Sequence, residues 1–238
     1  MKRFWKQAAA AQDESGQWRI ELDGRPVRTP ARSLLLLPGP ALAEEIAAEW
    51  NAAGETVDPR AMPLTGLANA AIDHVVPDPA AFAAGLARYA ASDLLCYRAD
   101  SPDKLIEAQA QAWDPLLQWA RRRFDVDFRV THGVAPVDQP QATLDRLGAA
   151  VHALDPFRLA AMSPLVTVGG SLVAALALLE GAVATDEAWE AVSLDERWQL
   201  EQWGSDDEAE KALAAREADF RAGARLIRLL DQLPNEIE

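Results

Sequence analysis

A metal centre or a catalytic constellation needs donors and nucleophiles at set spacings, and few residues of this chain meet that need. His74, His132 and His152 are scattered, and none stands four residues from another, as a helical zinc pair requires. Ser163 and Ser171 lack the Gly-x-Ser-x-Gly elbow, and no Gly-Lys-Ser/Thr follows Thr167-Val168-Gly169-Gly170-Ser171 to make a phosphate loop. The Gly169-Gly170 pair reads instead as a point of close helix packing. Cys96, the single cysteine, sits between Leu95 and Tyr97 with Arg98 as its cationic neighbour, and reads as a core thiol. It allows neither an intrachain disulfide nor a cysteine zinc cluster. Neither a metal nor a cofactor is expected. What remains of enzyme chemistry is a small-molecule site between two domains, drawn from Asp93, Cys96, Tyr97, Arg98 and His74.

Tryptophan and acid do gather. Trp189, Trp198 and Trp203 fall within AWEAVSLDERWQLEQWG, among Asp195, Glu196, Glu201, Asp206, Asp207, Glu208 and Glu210. Tryptophan anchors binding hot spots because it buries a large area and keeps a polar N–H. The same rings also suit a core, with the acids forming a solvated face and complementing helix dipoles. The residues alone leave both readings open.

The 238 residues, half of them hydrophobic, allow one large domain or two small ones around a real core. A formal charge of -14 and a pI near 4.7 argue against nucleic acid or an anionic membrane surface as the main partner. One cysteine suits a reducing compartment. MKRFWKQ is basic, but the apolar run after it is too short for a secretory signal, and Asp13 and Glu14 disfavour a transit peptide. A bacterial cytoplasmic protein is expected.

The elements follow from periodicity. Trp18, Ile20 and Leu22 alternate as a half-buried strand, Asp23-Gly24 is a hairpin turn, and Arg25–Thr29 returns, with Ser33–Pro38 as a further strand. Phe4–Ala11 pairs ahead of them, although its four alanines make a poor strand. Helices are predicted from Ala41 to about Gly54, over 64–75 and over 80–92, while 93–98 has no assignable form. A helix opens at Ser101-Pro102, with Ser101 as its cap, and Pro115 should kink it. Later helices are predicted over 142–154, 185–203 and about 206–230. The uncharged run Leu159–Leu179 reads as one buried central helix, though its length is near that of a membrane span. A peripheral membrane protein using this run is therefore a third hypothesis. The fold class is α+β: a small N-terminal two-layer domain of antiparallel sheet and helix (1–92), then a larger all-α domain (93–238).

Several blocks, in order along nearly the whole chain, resemble the ATP12 chaperones. They are KRFWK (2–6), LDGRPVRTPA (22–31), IAAEW (46–50), MPLTGLANAAID (62–73), SDLLCYR (92–98), WDPLL (113–117) and WQLEQWG (198–204). The family pattern has a larger residue where Gly66 stands. The resemblance implies a non-enzymatic assembly chaperone that binds the free F1 α subunit of ATP synthase and keeps it from aggregating before it joins β. It also implies a small α/β domain followed by a helical one. An acidic residue of the C-terminal helical region matters in the family, and Glu201 or Glu208 is the position to carry that to. Trp198 and Trp203 complete the expected partner-binding set, with no catalytic residue, no nucleic acid and no stable membrane insertion. Physically, an isolated subunit exposes an apolar interface that a tryptophan patch ringed by acid can cover.

Overall fold

The computed structural model describes residues 2–133, 135–204 and 207–232. β1 (Ala8–Gln12) and β2 (Trp18–Leu22) pair antiparallel, Ala8 opposite Leu22 and Gln12 opposite Trp18. The alternation read from the sequence holds at Ile20 and Leu22, which are buried with Glu21 partly exposed between them, while Trp18 is only half-buried. Asp23 and Gly24 turn the chain with φ of 47° and 79°, the left-handed pair a type I′ turn requires. The Asp23 carboxylate accepts the Gln7 and Lys6 amides, which lowers its pKa. β3 (Arg25–Pro26) and β4 (Leu36–Leu37) both pair antiparallel with β2.

The alanine-rich β1 forms because its outer edge is pinned by a side chain. Asn51 of α1 (Pro40–Ala52) accepts the Ala8 amide and donates to the Ala8 carbonyl, both at 2.8 Å. Low strand propensity is outweighed once the edge groups are bonded. Asn51→Ala is therefore expected to cost about 2 kcal/mol in urea unfolding, by leaving two part-buried backbone groups without partners. An unchanged midpoint would mean that the ladder to β2 suffices. α1 buries Leu42, Ile46 and Trp50, and the Trp50 and Trp5 rings meet edge to face at 5.0 Å. Its Glu49 reaches out of the helix to accept the Leu64 and Thr65 amides, capping α2 (Pro63–Ala70) from outside. α2 continues as a wider π-type turn over Ala71–Val75.

α3 (Pro79–Ala87) and a 3-10 turn (Arg88–Ser92) precede the segment that the sequence left undefined. That segment is a second 3-10 turn (Leu94–Cys96) and then β5 (Tyr97–Arg98). α4 (Asp103–Phe124) follows and runs through Pro115. Pro102, not Ser101, is its cap, so the expected Ser cap is corrected. β6 (Thr131–His132) pairs parallel with β5, and α5 (Gln141–His152) comes next.

The run 159–179 is buried but is not one rod. It divides into α6 (Pro156–Gly169) and α7 (Leu172–Leu179). Gly170, at φ +67°, reverses the backbone, and Ser171 starts α7 by accepting the Ala174 amide. No helix among the described residues is long and apolar enough to cross a membrane. The predicted helix 185–203 is likewise two, α8 (Thr185–Val192) and α9 (Leu194–Trp203), separated at Ser193, whose amide and hydroxyl both bond back to the Trp189 carbonyl. α10 (Asp207–Leu230) ends the described fold.

By packing, the chain forms two compact units. One comprises residues 1–79 with 155–161 and 225–238, the other residues 80–154 with 162–224. The sequence suggests a cut near residue 92, whereas the first unit also takes in two later segments. Arginines hold those segments within it: Arg225 pairs with Glu45, and Arg158 pairs with both Asp155 and Asp231.

Candidate functional site

Within the second unit, two side chains of α4 bind it to the helices that follow α7, and a third contact joins α8 to α10. Trp113, fully buried, donates its indole N–H to the Ala191 carbonyl at 2.7 Å, and the Arg98 guanidinium lies over its ring. Gln109 accepts the Ala99 amide and donates to Asp195 at 2.7 Å, which fixes the start of α9. Trp189 is buried against Phe220, with ring centroids 5.4 Å apart. The Gln109 and Trp113 contacts use one stripe of α4. The adjacent stripe stays open.

The open stripe is one wall of a groove of 610 Å³. α4 presents Ala108, Gln111, Ala112, Pro115 and Trp119 to it; α8 and α9 present Glu187, Glu190, Leu194, Trp198 and Glu201. Trp119 and Trp198 are half-buried, so each ring shows part of its face, while the three glutamates are exposed. Trp198 also lines a second hollow of 630 Å³ together with Tyr97, Ser101 and Gln199. Half-exposed tryptophans in a concave apolar strip rimmed by carboxylates are the anatomy of a surface that docks another polypeptide.

The structure sorts the expected tryptophan-and-acid cluster. Trp198 and Glu201 share the groove. Trp189 belongs to the core. Asp195 and Glu196 position α9, through Gln109 and Arg216 respectively. Glu208 lies exposed in the first turn of α10 and does not line the groove. Trp203 closes α9, and its side chain lies outside the described residues, as does Asp206. What sequence reasoning missed is the far wall, above all Pro115 and Trp119. The signal was present as a stripe at 108, 111, 112, 115 and 119, but it reads equally as core.

The residues gathered for an enzyme site are engaged otherwise. Asp93 is completely buried and accepts the Ser171 hydroxyl at 2.8 Å, the Val173 amide at 2.9 Å and the Leu95 amide at 3.1 Å. One carboxyl thus caps both the 3-10 turn at Leu94–Cys96 and the start of α7. Burial pushes its pKa up to about 6, against the pull of those donors. Burial likewise pushes the Cys96 thiol up to about 12, with the nearby Asp93 adding to the effect, which disfavours the thiolate at neutral pH. Arg98 donates to the Leu95 carbonyl and pairs with Asp114. His74 is exposed on the π-type turn, in the first unit. Among the described residues, no three His, Cys, Asp or Glu side chains are grouped to hold a metal ion.

A small antiparallel sheet followed by a mostly helical region, with a groove lined by tryptophans and carboxylates, defines the class of fold. A family model described as ATP12 chaperone protein matches residues 2–121. "Protein atp12, mitochondrial" of Schizosaccharomyces pombe is 28% identical over 220 residues, which cover 87% of this chain and 75% of that protein. The crystal structure of Atp12 from Paracoccus denitrificans matches with a TM-score of 0.89 at 46% identity, over 96% of this chain and 97% of that one. The Atu1473 protein of Agrobacterium tumefaciens matches with a TM-score of 0.91 at 40% identity, over 96% and 86% of the two chains. The chain belongs to the ATP12 chaperone family.

Proposed function

We propose that this protein is an assembly chaperone of ATP synthase, which binds the free F1 α subunit in the bacterial cytoplasm and keeps it from aggregating until it joins β. Family membership supports a chaperone role. The observation that carries the reading further is the groove that half-exposed Trp119 and Trp198 line together with Glu187, Glu190 and Glu201. Such a surface can cover an apolar subunit interface without collapsing on itself, because the charged rim keeps it hydrated. Trp198 and Glu201 are the proposed contacts. Glu208, in the first turn of α10, and Trp203 join them on sequence position. The role needs no cofactor and no catalytic residue.

The test is size-exclusion chromatography of the chain mixed separately with isolated F1 α and β subunits of the same organism. Co-elution with α alone, with suppressed α aggregation, is the expected result. A complex with β instead, or with neither, overturns the reading. Glu201→Lys is expected to weaken α binding at least tenfold, and Glu208→Lys less, since it sits off the groove. Equal affinity for Glu201→Lys and the unaltered chain would remove Glu201 from the contact face.

A further inference from the structure

We propose that the groove between α4 and α8–α9 receives an amphipathic helix of the client, about three turns long, which sets basic residues against Glu187, Glu190 and Glu201. This rests on the chaperone reading above and names what the groove grips. Both walls are helix faces, with α4 exposing positions 108, 112, 115 and 119 and the opposite wall positions 187, 190, 194 and 198. From Ala108 to Trp119 the wall runs about 16 Å, the length of a three-turn helix. Ala108, Ala112 and Ala191 line the groove with small side chains, which allow a third helix to approach closely.

An extended peptide fits poorly. Strand addition needs a free sheet edge, and these walls are helices whose backbone groups are bonded internally. Within α4 the Gln111 carbonyl loses its usual i+4 donor, because Pro115 has no N–H. That carbonyl offers one acceptor, enough to orient a side chain but not to seat a strand.

The charge pattern specifies the occupant further. Around the groove, acids are matched by arginines: Glu196 by Arg216, and Asp186 and Glu217 by Arg221. Glu190 and Glu201, by contrast, form no ion pair among the described residues, and Glu187 accepts only the Ala184 amide at 3.4 Å. Among the described residues, Arg197 is the one cation that lines the groove, against the three carboxylates of Glu187, Glu190 and Glu201. A helix with an apolar stripe flanked by Lys or Arg completes both the packing and the charge.

The experiment uses the full chain and isolated F1 α from the same organism, with affinity read by calorimetry. Ala112→Trp fills the groove without altering its charge, and Gln111→Trp does so from an exposed position that cannot disturb the core. Both are expected to weaken binding at least tenfold, with thermal midpoints near that of the unaltered chain. Glu190→Arg is expected to weaken it at least fivefold, with a flatter salt dependence. Hydrogen exchange on the complex should protect 108–119 and 187–201, and one helical segment of α. If the tryptophan variants bind α as the unaltered chain does, the groove assignment falls while the chaperone reading stands. If the unaltered chain forms no complex with α, both fall. A chain that is dimeric in light scattering, and monomeric as Gln111→Trp, would show that the occupant is a second copy and overturn the proposal.

Discussion

Asp93→Ala is expected to cost about 4 kcal/mol of stability at pH 5, and about 1 kcal/mol less at pH 7. The size follows from what one carboxyl does: it accepts a hydroxyl and two amides in a fully buried site, and alanine leaves all three donors without an acceptor. The pH dependence follows from burial, which raises the folded pKa to about 6 from an unfolded value of 3.8. Between these values the native protein holds a proton that the unfolded chain has released. Asp93 therefore contributes most below pH 4, and its contribution declines as pH rises through 6, by about 3 kcal/mol in all. About 1 kcal/mol of that decline falls between pH 5 and 7. Ordinary carboxylates that gain partners on folding behave in the opposite sense. Subtracting the urea stability of the alanine variant from that of the unaltered chain, pH by pH, isolates the Asp93 part. A difference that stays flat, or grows with pH, would show that this carboxyl is not held in a desolvated site.

The same residue shows why part of this molecule is legible in the sequence and part is not. Asp93 and Ser171 are 78 positions apart, and nothing local in either segment announces their bond. Features written in a few consecutive residues were readable. Trp18, Ile20 and Leu22 gave a strand by alternation, and Asp23-Gly24 gave its turn, because both depend on backbone geometry at neighbouring positions. β1 read as a poor strand because alanine is one; the Asn51 side chain that rescues it comes from α1. The breaks at Gly170 and Ser193 lacked the proline that marks a helix end, so each pair of helices read as one. Of the groove, the α9 wall was visible as tryptophan among acids. The α4 wall was not, because a half-exposed Trp119 and a buried Trp113 look alike until the stripe that Gln109 and Trp113 use is known.

Gly169→Leu is expected to destabilise the fold by about 3 kcal/mol, while Gly170→Ala costs about 1 kcal/mol for an unrelated reason. The sequence suggests that the glycine pair permits a close helix contact, and the structure assigns that contact to the first glycine. A Cβ on Gly169 meets Val192 Cγ1 at 3.3 Å and Phe220 Cε2 at 3.4 Å. Alanine fits there with small shifts, and the gain in helix propensity offsets the crowding. The further carbons of leucine have no such room between α8 and α10. A Cβ on Gly170 meets only Leu94 Cβ, at 3.7 Å, an ordinary contact, so the cost at that position is the left-handed backbone. Urea unfolding of Gly169→Ala, Gly169→Leu and Gly170→Ala separates the two causes. Overpacking predicts a steep rise from alanine to leucine at 169; a Gly169→Leu midpoint equal to that of Gly169→Ala would show that α8 yields freely. That result would reach the proposed function too, because α8 carries Glu187 and Glu190, which line the groove.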